Sequence, residues 1–188
     1  AYDDVLIDHG TKLNFLRENL VKEVKKIYKD FVQILEQHNK RARLFSGIDI
    51  HLKSGFNDKL GFEESLLQSN SADLKRKTTN QGPHKADIIF ESKDLLIKDT
   101  FSRGEQKMLS ILWSLSQNIY LERFFKLSPI LLLDDLSSEL DAEMLDCFLP
   151  IIKYIENRFI FSNIVDSFNS KIDVSEQSFK KFHVEQLT

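Results

Sequence analysis

Four consecutive aliphatic residues, Ile130-Leu131-Leu132-Leu133, run directly into Asp134 and Asp135. A run this short and uniformly apolar predicts a strand buried on both faces of a parallel sheet. Carboxylates at its C-terminal tip fall where open α/β sheets bind ligands, in the crevice beyond the strand ends. Oxygen ligands held there suit Mg²⁺, which takes one or two carboxylates and keeps several waters. The same residues also read as a buried strand followed by an Asp-rich turn, and this stretch alone leaves both readings open.

The chain has 188 residues, 41% hydrophobic and 29% charged, enough for one sizeable core with a small appended lobe. Fifteen phenylalanines argue for a filled interior over a disordered chain. The net charge of −3 supplies no global basic field, so any nucleic-acid contact must come from local patches. One cysteine, Cys147, excludes an intrachain disulfide, and its apolar neighbours Leu145, Phe148 and Leu149 predict a buried, inert thiol. With no apolar run of spanning length and no signal peptide, a soluble, cytoplasmic protein without membrane contact is expected. The chain starts Ala-Tyr-Asp-Asp, without Met, as a processed or excised piece would.

Leu13 to about Gln37 reads as one amphipathic helix, with Leu13, Leu16, Leu20, Val24, Ile27, Phe31 and Ile34 inward. Lys22, Lys25, Lys26 and Lys29 fall opposite, as a solvated face or a phosphate-tracking stripe. Arg41 to Lys53 alternates loosely and predicts a strand region broken at Ser46-Gly47. A second helix is expected from Phe62 to Arg76. It ends in the densest basic cluster, Lys75-Arg76-Lys77, either a solvated helix end or a phosphate contact. His84 sits in a turn before a hairpin of Ala86–Phe90 and Leu95–Ile97. Ser102-x-x-Glu105 is a capping box opening a broadly apolar helix to about Phe125. With Gly104, the same geometry makes a phosphate site from Ser102 and free helix N–H groups. Beyond the acidic strand, Asp141 or Ser138 caps a helix to about Ile155, which Pro150 is expected to kink or shorten. A strand at Arg158–Phe161 and a last one at Phe179–Leu187 complete the expected elements. The predicted organisation is a helical lobe with a short strand region over 1–80 and an α/β portion over 81–188.

The order hairpin, Ser-Arg-Gly-Glu-Gln helix, Leu-Leu-Leu-Asp-Asp strand, Ser-Glu-Leu-Asp turn and Phe-Ile-Phe-Ser strand resembles the C-terminal half of an ABC-type ATPase head. Within that class it is similar to the RecF family. Arg103 stands between Ser102 and Gly104, where most relatives carry two glycines. The acidic strand ends Asp134-Asp135 instead of Asp-Glu. Gly82-Pro83-His84-Lys85-Ala86-Asp87 is similar to that family's Gly-Pro-His-Arg-x-Asp. The likeness spans nearly the whole chain. Departures are Phe101 for Leu, Glu105 for Gln and Lys85 for Arg. No Gly-x-x-x-x-Gly-Lys-Ser/Thr occurs among the six glycines, so the phosphate-cradling loop is expected upstream of Ala1.

The resemblance implies a mixed-sheet ATPase head that dimerises around ATP. Asp134 would hold Mg²⁺ through water, as a Walker B acid does, and Asp135 would orient or deprotonate the attacking water. Ser102, Arg103, Gly104 and Glu105 would meet nucleotide bound on the opposite protomer. Ser138, Glu139 and Asp141 would form the D-loop at that interface, with Asn163 the nearest candidate for a switch residue. Implied partners are duplex DNA and gap junctions, a second copy of the protein, and the RecR, RecO and RecA pathway proteins. The whole protein would be a slow ATPase, and the chain alone would hydrolyse none. The alternatives are a non-enzymatic DNA- or partner-binding module and an SMC- or Rad50-like structural head, the latter disfavoured by the short helical region.

Overall fold

A computed structural model of the protein describes residues 2–134, 140–154 and 159–161. The fold is mixed α/β and mostly helical. It divides into two compact units. The first holds residues up to Asp30 and Arg43–Phe101, and the second holds Phe31–Ala42 with the described residues from Ser102 onward.

Helix α1 runs Tyr2–His38, starting earlier than its apolar spacing predicts. Its buried face is Val21, Val24, Ile27, Tyr28, Phe31, Val32 and Leu35, with Asn14 buried one turn above Arg17 and Glu18. Leu13, Leu16 and Leu20, expected inward, are 41%, 63% and 42% exposed. At about 100° per residue Leu13 and Leu20 fall on the same side as the buried Ile27 and Phe31, and spacing alone cannot tell where along the helix that side stops being covered.

In the first unit, α2 (Arg43–Ser46) precedes β1 (Ile48–Lys53). The strand region expected from Arg41 is therefore helical until Ser46. There Phe45 is fully buried, and the Ser46 hydroxyl donates to the Arg43 carbonyl at 2.9 Å. From Ile48 the alternation becomes regular: Ile48 and Ile50 are buried, Asp49 and His51 exposed. After α3 (Gly61–Arg76), β2 (Asp87–Ser92) pairs antiparallel with β1, Ile50 opposite Phe90. β3 (Leu95–Leu96) closes the hairpin, and α4 (Ile97–Thr100) follows. The Tyr28 hydroxyl donates to the Phe45 carbonyl at 2.9 Å, and burial pushes its pKa above the ordinary 10.0. Gly55 has φ +82°, and a Cβ there would strike the backbone of Gly82, Lys85 and Ala86. That close approach fixes the turn carrying the Gly-Pro-His segment, through Gly82 N–H donating to the Gly55 carbonyl at 2.9 Å.

In the second unit, α5 (Arg103–Phe125) is the central helix. Met108, Leu109, Ile111, Leu112, Trp113 and Leu115 are buried, which requires packing on more than one side. β4 (Leu131–Leu133) pairs parallel with β5 (Phe159–Phe161), Leu132 opposite Ile160. Leu133 is buried but Leu132 is 71% exposed. Burial on both faces is thus corrected for β4: alternate side chains point to opposite faces, and among its residues the Leu133 side is covered and the Leu132 side is not. α6 (Ala142–Tyr154) buries Met144, Leu145, Cys147, Phe148 and Ile151. It continues through Pro150, where an early end is one expectation from sequence. The ring costs one backbone hydrogen bond, and the flanking buried Phe148 and Ile151 hold the helix by packing. The expected strand at Phe179–Leu187 lies outside the described residues, and no described helix is long and apolar enough to cross a membrane.

Candidate phosphate-facing helix start and acidic strand tip

The start of α5 is built by its own sequence. Ser102 is extended at φ −62°, ψ 162°, so its side chain folds over the first turn. Its Oγ accepts from the Glu105 N–H at 3.4 Å, and its own N–H donates to Glu105 Oε2 at 2.8 Å. This is the expected capping box. Ser102 and Arg103 are exposed and Gly104 half-buried. A hydroxyl, a cation and the first-turn amides of a 23-residue helix therefore share one surface, a donor set suited to an anion. Glu105 is turned back into the cap, and its side chain is 19% exposed.

At the other helix start, Asp141 Oδ1 accepts from the Met144 N–H at 2.8 Å, making Asp141 the cap of α6. The sequence leaves Asp141 and Ser138 as alternatives there. Asp134 follows β4 directly and is exposed, at the strand tip where the acidic pair is expected. Asp135, Ser138, Glu139 and Asn163 lie outside the described residues. Among the described residues no group of three acidic, His or Cys side chains forms a metal cage. A carboxylate at a strand tip fits a metal that keeps most of its waters and shares its remaining ligands with a phosphate.

Arg41 joins the two helix starts. Its Nη1 lies 2.6 Å from Glu143 Oε2 and 3.3 Å from Asp141 Oδ2, and its Nη2 lies 3.7 Å from Glu105 Oε1. The Arg41 backbone N–H donates to Asn39 Oδ1 at 2.8 Å, fixing the bend after α1. The Glu143 hydrogen bond, with the Asp141 and Glu105 charges, raises the guanidinium pKa. An exposed ion pair contributes about 0–1 kcal/mol, so this network matters more for geometry than for stability. Sequence reasoning missed Arg41, because its carboxylate partners lie up to 102 residues along the chain. Cys147 is buried nearby on α6, and burial pushes its thiol up to about 11, as expected of an inert cysteine.

The basic triplet lies elsewhere, in the first unit. Lys75 and Arg76 form the last turn of α3, and Lys77 caps it at φ 54° with its N–H donating to the Asp73 carbonyl. All three are exposed. Asn80 hydrogen bonds hold the Asp73 carboxyl below the usual range and bind the segment after the helix back to it. Lys53 and Lys85 line an open depression beside Asn80. His84 Nε2 lies 2.9 Å from the Thr79 carbonyl, a local turn contact.

No family model matches the chain. The DNA replication and repair protein RecF of Coxiella burnetii (strain Dugway 5J108-111) is 32% identical over 163 residues, 87% of this chain and 44% of the relative. RecF of Francisella tularensis is 31% identical over 177 residues, covering 93% of this chain and 48% of that protein. RecF of Pseudoalteromonas translucida is 24% identical over 204 residues, 98% of this chain and 56% of its own length. The chain thus spans about half the length of the relatives it matches. A solved structure of the recombination mediator protein RecF-ATPrS in the RecFOR pathway superposes with TM-score 0.65 at 23% identity, over 87% of this chain and 44% of the other. That likeness shows the fold.

Proposed function

We propose that this chain is a fragment of a RecF-type DNA replication and repair protein, the part carrying the signature helix and the acidic strand of its ATPase head. The observation that carries the reading is the α5 start, a capped serine-glycine turn whose hydroxyl and cation are exposed. In the whole protein, Ser102 and the Gly104 amide would bind the terminal phosphate of ATP held by a second copy, and Arg103 would offset its charge. Asp134 would hold Mg²⁺ through water, and Asp135 would orient the attacking water. Bound ATP supplies the phosphate charge that is neutralised only when both surfaces meet. Asp is one methylene shorter than Glu, which favours slow hydrolysis and a switch over a motor. Ser138, Glu139 and Asp141 would line the same interface, with Asn163 as the switch candidate. Residues 81–188 would form the head portion and 1–80 the helical lobe.

The dimer would clamp duplex DNA near gaps, in a pathway with RecO, RecR and RecA. Exposed Lys75, Arg76 and Lys77, with Lys53 and Lys85 on the same unit, support phosphate contact there. Sedimentation of the full-length protein tests the nucleotide reading. ATP with Mg²⁺ is expected to convert monomer to dimer, and Asp134→Asn to weaken that response by about tenfold or more. A variant that dimerises like the parent would remove the metal role of Asp134. Changing Lys75, Arg76 and Lys77 together to alanine is expected to lower the salt dependence of DNA binding by up to about three phosphate contacts. An unchanged salt slope would place the DNA surface elsewhere.

A further inference from the structure

We infer that Arg41 is a positioning residue that makes an acidic signature helix compatible with a phosphate. The inference rests on the phosphate-binding role proposed for the start of α5. Glu105 places a carboxylate in the first turn of a helix whose exposed face carries Ser102 and Arg103. A negative charge there would oppose an incoming phosphate over the few ångströms that separate them. Two contacts remove that opposition. The Ser102 N–H draws Oε2 back into the cap at 2.8 Å, and Arg41 Nη2 faces Oε1 at 3.7 Å.

The same guanidinium reaches Asp141 and Glu143, which open α6. Its planar fork meets carboxylates on two sides in a fixed geometry, which a lysine's rotatable point charge does not impose. Arg41 therefore sets the charge at one helix start and ties it to the other. A signature turn and a D-loop end held by one cation shift together, so both surfaces reach a second copy in register.

The test uses the full-length protein with four variants: Arg41→Gln, Arg41→Lys, Glu105→Gln and the double Arg41→Gln/Glu105→Gln. Dimer formation is read by sedimentation at graded protein concentration with ATP and Mg²⁺. Arg41→Gln is expected to weaken dimerisation about tenfold, and Arg41→Lys to fall between it and the parent. Glu105→Gln is the reference for the double variant: its amide oxygen can still accept from Ser102, so it keeps the cap while removing the charge. The double variant should recover most of what Arg41→Gln loses, since the charge that Arg41 offsets is gone, and stay below Glu105→Gln only by the lost tie to α6. A merely structural arginine would leave the double variant as weak as Arg41→Gln, and that result overturns the inference. So does an Arg41→Gln variant that dimerises like the parent. Hydrogen exchange without nucleotide supplies an independent arm: Arg41→Gln should speed exchange in the first turns of both α5 and α6. If the parent itself shows no ATP-dependent dimer, the functional reading fails. The exchange arm then still judges the tie, and unchanged exchange at both helix starts overturns it.

Discussion

Exchanging Ser102 for arginine in the full-length protein is expected to lower ATP-dependent dimerisation by about a hundredfold or more, with each monomer still folded. Loss of one hydrogen bond to a charged group costs about 1.5–3 kcal/mol, about ten- to a hundredfold in an association equilibrium. The cap contributes little to that loss. Replacing an N-cap residue costs about 1 kcal/mol of helix stability, a small part of a domain's total of about 5–15 kcal/mol. Unfolding therefore cannot account for the effect. The remainder comes from a long cation in the place of a hydroxyl on an exposed surface. Ser102→Ala separates the two contributions, removing the hydroxyl without adding bulk, and should fall between parent and Ser102→Arg. Sedimentation with and without ATP reads the dimer, and thermal melting confirms the fold. Equal dimerisation by parent and Ser102→Arg would take Ser102 out of the interface.

Replacing Phe148 with alanine is expected to destabilise the second unit more than any other single truncation on α6. Phe148 is 0% exposed, between Cys147 and the buried Met144 and Ile151. Deleting a buried phenyl ring costs about 3–5 kcal/mol, the sum of lost transfer energy and the cavity left behind. That approaches the whole stability of a marginal domain. Urea denaturation of this chain should show a large fall in midpoint with little change in slope. Leu132→Ala is the matched control. Leu132 is as apolar but 71% exposed, so its loss should stay within about 0.5 kcal/mol. Similar midpoints for the two variants would mean that the Phe148 ring does not sit in a packed core.

The difference between these two residues also shows what the sequence could reveal. The aliphatic run before Asp134 marks β4 correctly, because local composition is enough to identify a short strand. It cannot say that Leu133 is covered and Leu132 bare, since that depends on which neighbours lie on each face. The capping box is legible for a similar reason: Ser102 and Glu105 satisfy each other within one turn. Asp141 as the cap of α6 is half legible, as one of two candidates. The stripe on α1 is partly misread. Leu13, Leu16 and Leu20 keep perfect helical spacing and yet are exposed, while Val24, Ile27 and Phe31 are buried as expected and Val21, Tyr28, Val32 and Leu35 join them. Arg43–Ser46 forms a helical turn inside an expected strand region because a buried Phe45 outweighs loose alternation. Arg41 is invisible, since its three carboxylates come from two distant helix starts. Local chemistry can be read from the chain, and convergence requires coordinates.

In the proposed assembly, the acidic strand of one copy and the signature turn of another complete a single pocket. The most direct measurement mixes full-length Ser102→Arg with full-length Asp134→Asn in equal amounts, with ATP and Mg²⁺, and weighs the products. Each variant alone should remain largely monomeric at concentrations where the parent dimerises. The mixture should form a heterodimer, because one of its two pockets pairs an intact Asp134 with an intact Ser102. A mixture no more dimeric than its components, with both variants folded and binding ATP, would contradict the shared pocket.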